Sequence, residues 1–179
     1  VVKEQPEELI EHLRRHKTTE AYYYKQRELR PSKLSPLESA SRFIYLNKTC
    51  FNGLYRVNSA GQFNVPYGRY KNPVICDETS LRLASAALQK AKLSVGGFEH
   101  SLKTAKRGDF IYLDPPYVPV SATANFTSYT SSGFTEKDQE RLAEEVHRLD
   151  RAGCLILLSN SDTDTVRQLY RGFHTVVVR

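Results

Sequence analysis

The second half of this 179-residue chain reads as a layered α/β fold with a mainly parallel sheet. Three observations predict it. Short apolar runs of strand length recur at 110–113, 154–158 and 175–178. Segments of helical period separate them, with Leu142, Val146 and Leu149 falling on one helical face. The first run, Phe110 to Leu113, follows Gly108 and Asp109 and is apolar throughout, the pattern of a strand buried on both faces.

The elements follow in chain order. Residues 4–30 are charged and helix-prone, with Tyr22, Tyr23 and Tyr24 in the middle. The three tyrosines read first as packing material, with base stacking as the alternative. After the break at Arg30 and Pro31, residues 35–50 form a helix. Ser35 stands at the N-cap, Pro36 at the first helical position, and Glu38 completes a capping box. Residues 54–58 and 62–66 read as a hairpin around Gly61, with Pro66 ending the second arm. A helix over 78–90 and a short strand over 93–95 come next, and Gly96 and Gly97 then make a turn with no convincing helix behind it. Thr135 and Asp138 form a second capping-box pattern at the start of the next helix. A last short helix spans 163–170, for which Asp162 is a candidate N-cap.

Composition narrows the function classes. Hydrophobic residues at 40% and charged residues at 26% suit a globular protein with a modest core. No apolar run is long enough for a bilayer, and the first residues do not resemble a secretory signal. Cys50, Cys76 and Cys154 are odd in number and lack metal spacing, so reduced thiols, no metal and a cytoplasmic setting are expected. The net charge of +6 favours a polyanion partner, because Lys and Arg release counterions from phosphates.

In open parallel sheets, ligands bind at the carboxyl ends of the strands. There, directly after 110–113, stand Asp114, Pro115, Pro116 and Tyr117. An ionised aspartate accepts hydrogen bonds and does not donate them, so it suits an amino group. The Pro115 carbonyl is a second acceptor, whose direction proline helps to fix. Tyr117 offers a flat face for a planar base. Two acceptors and an aromatic platform describe a pocket for the exocyclic amine of a base. They also leave the nitrogen lone pair free to attack an electrophilic methyl group.

With Ser121, Thr123, Asn125, Phe126 and Tyr129 behind it, this string resembles the Dam family of adenine methyltransferases. So do Tyr45, Leu46 and Asn47; the run Phe51, Asn52, Gly53, Leu54, Tyr55, Arg56; Phe63 to Pro66; Gly68, Arg69 and Tyr70; and Ser159 to Asp162. The resemblance covers almost the whole chain in unbroken order.

That resemblance implies a partial Rossmann-like class I methyltransferase sheet with an inserted helical and hairpin DNA-recognition region. Residues 1–75 would be the recognition region and 76–179 the C-terminal part of the catalytic domain. The implied reaction moves a methyl group from S-adenosylmethionine to adenine in double-stranded DNA, commonly within GATC, after base flipping. Asp114, Pro115, Pro116 and Tyr117 would be catalytic, and Asp114 would also touch the cofactor. Leu54, Arg56 and Pro66 fall on base-contacting positions, and Arg56 suits guanine, or alternatively is a solvated hairpin charge. Phe51 suits a wedge in the gap left by the flipped base, or alternatively a helix-end core position. Asn52 would bond a base edge, Arg69 and Lys71 would meet phosphates, and Asn125 would join the DNA contacts. The polar loop 121–129 is expected to order when substrate closes the site. Phe134 would pack near the flipped base or anchor the next helix, and Asn160 and Asp162 would help line the site, Asp162 serving alternatively as the N-cap. His147 and His174 read as surface or packing residues. No obligate protein partner and no membrane association are expected, and the setting implied is a bacterial or phage-infected cell.

The sequence departs from the family in one respect. Members with this motif order begin with a basic segment, a strand ending in a Gly-rich loop, and an acidic residue for the cofactor ribose. None of these is found here. The expectation is a piece of a protein of about 250–280 residues, a length one domain can hold. The alternatives are a short DNA-binding protein without catalysis, or a methyltransferase of another nucleic-acid amine.

Overall fold

A computed structural model describes residues 1–120 and 134–178, and shows a mixed α/β chain in two compact units, Val1–Leu93 and Ser94–Arg179. Among these residues no helix is long and apolar enough to cross a membrane.

The first unit is built from helices. The charged segment 4–30 forms two of them, α1 (Pro6–Arg14) and α2 (Glu20–Glu28), separated where Thr19 caps the second by accepting from Tyr22 N. Leu9, Ile10 and Leu13 bury one face of α1, as their three- and four-residue spacing dictates. The third helix, α3 (Pro36–Thr49), starts with the expected capping box: Ser35 Oγ accepts from Glu38 N, and Glu38 Oε2 accepts from Ser35 N at 2.8 Å. Its buried Tyr45 and Leu46 meet Tyr23, Phe63, Val65 and Cys50 in one core. Tyr23 is fully buried and donates to the Val65 carbonyl at 2.9 Å, and Tyr22 and Tyr24 pack around it, so the triple tyrosine is core material. Arg42, almost fully buried, donates to the carbonyls of Gln26 and Arg27 at 2.7 and 2.8 Å, which satisfies the open end of α2. The fourth helix, α4 (Glu78–Leu88), is tied to α1 by Arg82 on Glu7 and Arg14 on Glu78.

The hairpin is present but narrow. Asn58 N bonds Gln62 O at 2.9 Å, Asn64 N bonds Arg56 O at 3.0 Å, and Val57 bridges Phe63 across the pair. Gly61 closes the turn at φ +71°, a backbone conformation that glycine adopts without strain.

In the second unit the strands β1 (Phe110–Leu113) and β2 (Leu155–Leu158) pair in parallel, with Phe110 opposite Leu155 and Leu113 opposite Leu158. Before them runs the short helix α5 (Phe98–Leu102), and α6 (Glu136–Arg151) is the crossover between them. Ile111, Leu113 and Ile156 pack with Leu102, Leu149 and Cys154. The helix α7 (Asp164–Leu169) closes the regular structure.

Five sequence expectations are corrected here. The strands β1 and β2 are not buried on both faces, since Phe110, Tyr112, Leu155 and Leu157 alternate out to solvent. Residues 93–95 and 175–178 are irregular, because an apolar run becomes a strand only where a ladder partner accepts it. The Gly96–Gly97 turn does lead into a helix, with Gly97 at the N-cap of α5. The cap of α7 is Thr163, which accepts from Val166 N, while Asp162 instead binds Arg167 at 2.7 and 2.9 Å.

Candidate active site and nucleic-acid interface

Parallel pairing sets the geometry of the second unit's site. Because Leu113 lies opposite Leu158, the residues that follow them, Asp114 and Ser159, leave the sheet side by side. Ser159 N donates to Leu113 O at 3.0 Å, and its hydroxyl donates to Asp114 Oδ1 at 2.7 Å. The Tyr112 hydroxyl lies 3.4 Å from Ser159 Oγ. Among the described residues Asp114 Oδ2 has no protein donor, which leaves it as an acceptor.

Beyond Asp114 the loop is tied to α6 and to the segment after β2. Gln139 Nε2 donates to the Pro116 carbonyl at 2.7 Å, and Asn160 Nδ2 donates to Gln139 Oε1 at 3.2 Å. Asn160 Oδ1 accepts from Val118 N at 3.1 Å and from Ser161 N at 2.9 Å. Asn160 thus ties down the loop, a role the sequence reading did not give it, and Gln139 and Ser159 were given no role there. Gln139 did leave a signal: it stands three residues before Leu142, on the apolar stripe of α6.

Tyr117 is half exposed and borders a hollow of about 250 Å³, shared with Val118, Phe134, Thr135, Gln139 and Thr165. Phe134 also leans on Phe98 of α5, with ring centroids 6.2 Å apart. His147 meets the Leu169 carbonyl at 3.2 Å and packs on Phe173, a packing role. His174 lies at the surface. Asn125, with Ser121, Thr123, Phe126 and Tyr129, lies outside the described residues.

The other candidates lie in the first unit, on the end of α3, the hairpin and the segment after it. Phe51 N donates to Pro66 O at 2.9 Å and Cys50 bridges Tyr67, so the end of α3 lies against the second hairpin arm. Phe51, Asn52, Leu54, Arg56, Pro66, Arg69 and Lys71 are all exposed. This settles Phe51 against a core position: its ring is 50% exposed, although Cys50 beside it is fully buried. Arg56 Nε donates to Asn64 Oδ1 at 2.8 Å, which steadies the guanidinium on the hairpin. Asn52 N donates to the Tyr70 hydroxyl at 3.0 Å, and Asn47 Nδ2 to the Gly53 carbonyl at 2.6 Å. Gly68 is required by close approach, because a Cβ there would stand 2.7 Å from the Cys50 carbonyl oxygen.

A groove of about 620 Å³ lies between the hairpin tip and the end of α2, lined by residues that include Arg27, Arg30, Arg42, Asn58, Gln62 and Asn64. With Arg42 the groove has three arginines, of which Arg27 and Arg30 were not singled out in the sequence. Their signal is spacing: Arg27 and Arg30 are three residues apart where the helix ends.

What the arrangement can do follows from its donors and acceptors. The end of β1 presents a carboxylate, backbone carbonyls and an aromatic face, a set suited to an amine on a planar ring. The hairpin presents one guanidinium, exposed apolar groups and further cations, a set suited to a base-lined groove flanked by phosphates.

Comparison with known proteins agrees with this chemistry. A family model for D12 class N6 adenine-specific DNA methyltransferases matches residues 1–179. A type II methyltransferase of Lactococcus lactis subsp. cremoris is 44% identical over 97% of the chain and 64% of its own length. A second type II methyltransferase, from Methanocaldococcus jannaschii, is 45% identical over 86% of the chain and 54% of its own. The DNA adenine methylase of Escherichia coli is 40% identical over 89% and 58%. The chain therefore spans between about half and two thirds of the length of these relatives.

Proposed function

Since the chain belongs to the D12 class of N6 adenine-specific DNA methyltransferases, we propose that its protein transfers a methyl group from S-adenosylmethionine to the exocyclic amine of adenine in double-stranded DNA, within GATC. The observation that carries this reading is the placement of Asp114, Pro115, Pro116 and Tyr117 at the carboxyl end of β1, with Ser159 orienting the Asp114 carboxylate at 2.7 Å.

In this reading the target adenine leaves the duplex stack, because its amine is otherwise paired and out of reach. Tyr117 stacks on the flipped base. Asp114 and the Pro115 carbonyl accept the two N–H bonds of the amine, which orients its lone pair outward. S-adenosylmethionine, when bound, supplies the electrophilic methyl. Asp114 stands beside both substrates and serves both sites. The acceptor-only character of Asp114 fits a cationic donor and an amine that loses a proton. No covalent enzyme intermediate is required.

On the first unit, Arg56 reads guanine through its fork, with Leu54 and Pro66 against neighbouring bases. Phe51 fills the gap left by the flipped base, and Asn52 bonds a base edge. Arg69 and Lys71 contact phosphates, and Asn125 adds a DNA contact. Residues 1–75 act as the DNA-recognition region inserted into a Rossmann-like class I methyltransferase domain, to which 76–179 contribute.

The test is to incubate the native protein with unmethylated plasmid and labelled S-adenosylmethionine, then map the modified bases. Methyl-adenine confined to GATC is expected. Methyl-adenine at other sites would overturn the base-contact assignment. Methyl on RNA, or DNA binding with no transfer, would replace this reading with one of its two rivals.

A further inference from the structure

We propose that Gln139 is a positioning residue for methyl transfer, forming with Asn160 an amide clamp that fixes the loop after β1. The inference rests on the methyltransferase reading above. Pro115 and Pro116 have no N–H, so this stretch cannot be pinned through its own donors. Its fixed points must be carbonyls and the first N–H bonded beyond the prolines. The clamp engages both. Gln139 donates to the Pro116 carbonyl at 2.7 Å, and Asn160 accepts from Val118 N at 3.1 Å. The two amides are joined to each other at 3.2 Å, and the Ser161 hydroxyl donates to the Val118 carbonyl at 2.5 Å.

Gln139 is 3% exposed and occupies a stripe position of α6 that an apolar residue would ordinarily hold. A primary amide there is costly unless both its ends are bonded, and here both are. The consequence for chemistry is selective. The Pro116 carbonyl is turned onto Gln139, whereas the Pro115 carbonyl has no donor among the described residues and stays open to an amine. With Ser159 holding Asp114 on the other side, Pro115 is fixed from both directions.

The experiment measures single-turnover methyl transfer by the native full-length protein with unmethylated duplex and labelled S-adenosylmethionine. DNA affinity and melting temperature are measured in parallel. Gln139→Leu keeps the volume and removes the clamp; its rate should fall about 10²-fold, the scale of a small misplacement at a reacting centre. DNA affinity should stay within a few-fold of native. Gln139→Glu restores a donor to Pro116 only when its carboxyl is protonated, so its rate relative to native should rise as pH falls. The double variant with Asn160→Asp should lose less than the product of the single losses, because the two residues act as one unit.

A native rate in Gln139→Leu would overturn the clamp, as would a loss that merely follows the unfolded fraction. A pH-independent ratio for Gln139→Glu would overturn the donor role. If the native protein transfers no methyl at all, the methyltransferase reading fails first and the clamp falls with it.

Discussion

Protonation of His16 should weaken the first unit, and the structure sets the size of the effect. The His16 ring stacks on Tyr45 with centroids 4.3 Å apart, its Nδ1 lies 3.0 Å from the Tyr22 hydroxyl, and its Nε2 lies 2.9 Å from the Ser41 hydroxyl. The groups facing it are His12, Tyr22, Tyr45 and Ser41, with no carboxylate among these contacts. Burial, and after it the neighbouring His12, lower its pKa from 6.5 to about 4. The unfolded chain therefore takes up this proton near pH 6.5 and the folded chain only near 4. Between these values the unfolded state binds more protons, so stability falls as pH falls. Linkage for such a shift gives a ceiling of about 2 kcal/mol lost by pH 5. The ring is only partly buried, and screening by water reduces the expected loss to about 1 kcal/mol. Urea unfolding near pH 7 and pH 5 measures it, with His16→Gln as the control that cannot titrate. The native protein should lose about 1 kcal/mol more than the variant over this interval. Equal losses in the two would refute the reasoning.

The other predictions are briefer. Asp114→Ala should abolish methyl transfer while DNA affinity, measured by anisotropy, stays near native; retained transfer would remove Asp114 from the chemistry. Arg56→Ala should cost about 1–3 kcal/mol of discrimination at one guanine of the site, read by competition with base-substituted duplexes. Lys71→Ala should weaken binding to all sequences alike and reduce the slope of log K against log salt by about 0.9, as expected for one lost phosphate contact. Thr135→Ala removes the α6 cap and should destabilise the protein by about 1 kcal/mol in denaturant titration, with Thr135→Ser restoring most of it.

How far the sequence could be read depended on the range of each interaction. Capping boxes join residues three apart, so Ser35 with Glu38 and Thr135 with Asp138 were legible and stand as expected. The motif after β1 was legible because it is contiguous and follows an apolar run. Residues 93–95 and 175–178 look like strands by composition alone, but a strand is made by its partner, and composition does not name one. The helix α5 has five residues, too few for a period to show. The sequence also gave no reason to join Ser159 to Asp114 across 45 positions, or Gln139 to Pro116 across 23. Those bonds exist because parallel pairing and the α6 crossover bring distant segments to one strand end.

Backbone strain singles out the same surface that the side chains suggest for DNA. Among the described residues two that are not glycine have positive φ, Asn52 at 53° and Arg69 at 54°. Asn52 tolerates this region better than most residues, whereas an arginine there costs on the order of 1 kcal/mol. Their placement is symmetrical: Cys50 bridges Tyr67, and each strained residue stands two positions beyond its side of that bridge. Local contacts hold both ends. Cys50 is fully buried, Tyr70 receives Asn52 N, and Gly68 allows the two segments to approach closely. The turn at Asn52 follows a half-exposed aromatic ring, and the turn at Arg69 leaves an exposed guanidinium 4.0 Å from the Glu20 carboxylate. Stability alone would favour neither conformation. The function proposed above would use both turns, since a kinked duplex with one base removed would take an aromatic wedge at Phe51 beside a phosphate contact at Arg69.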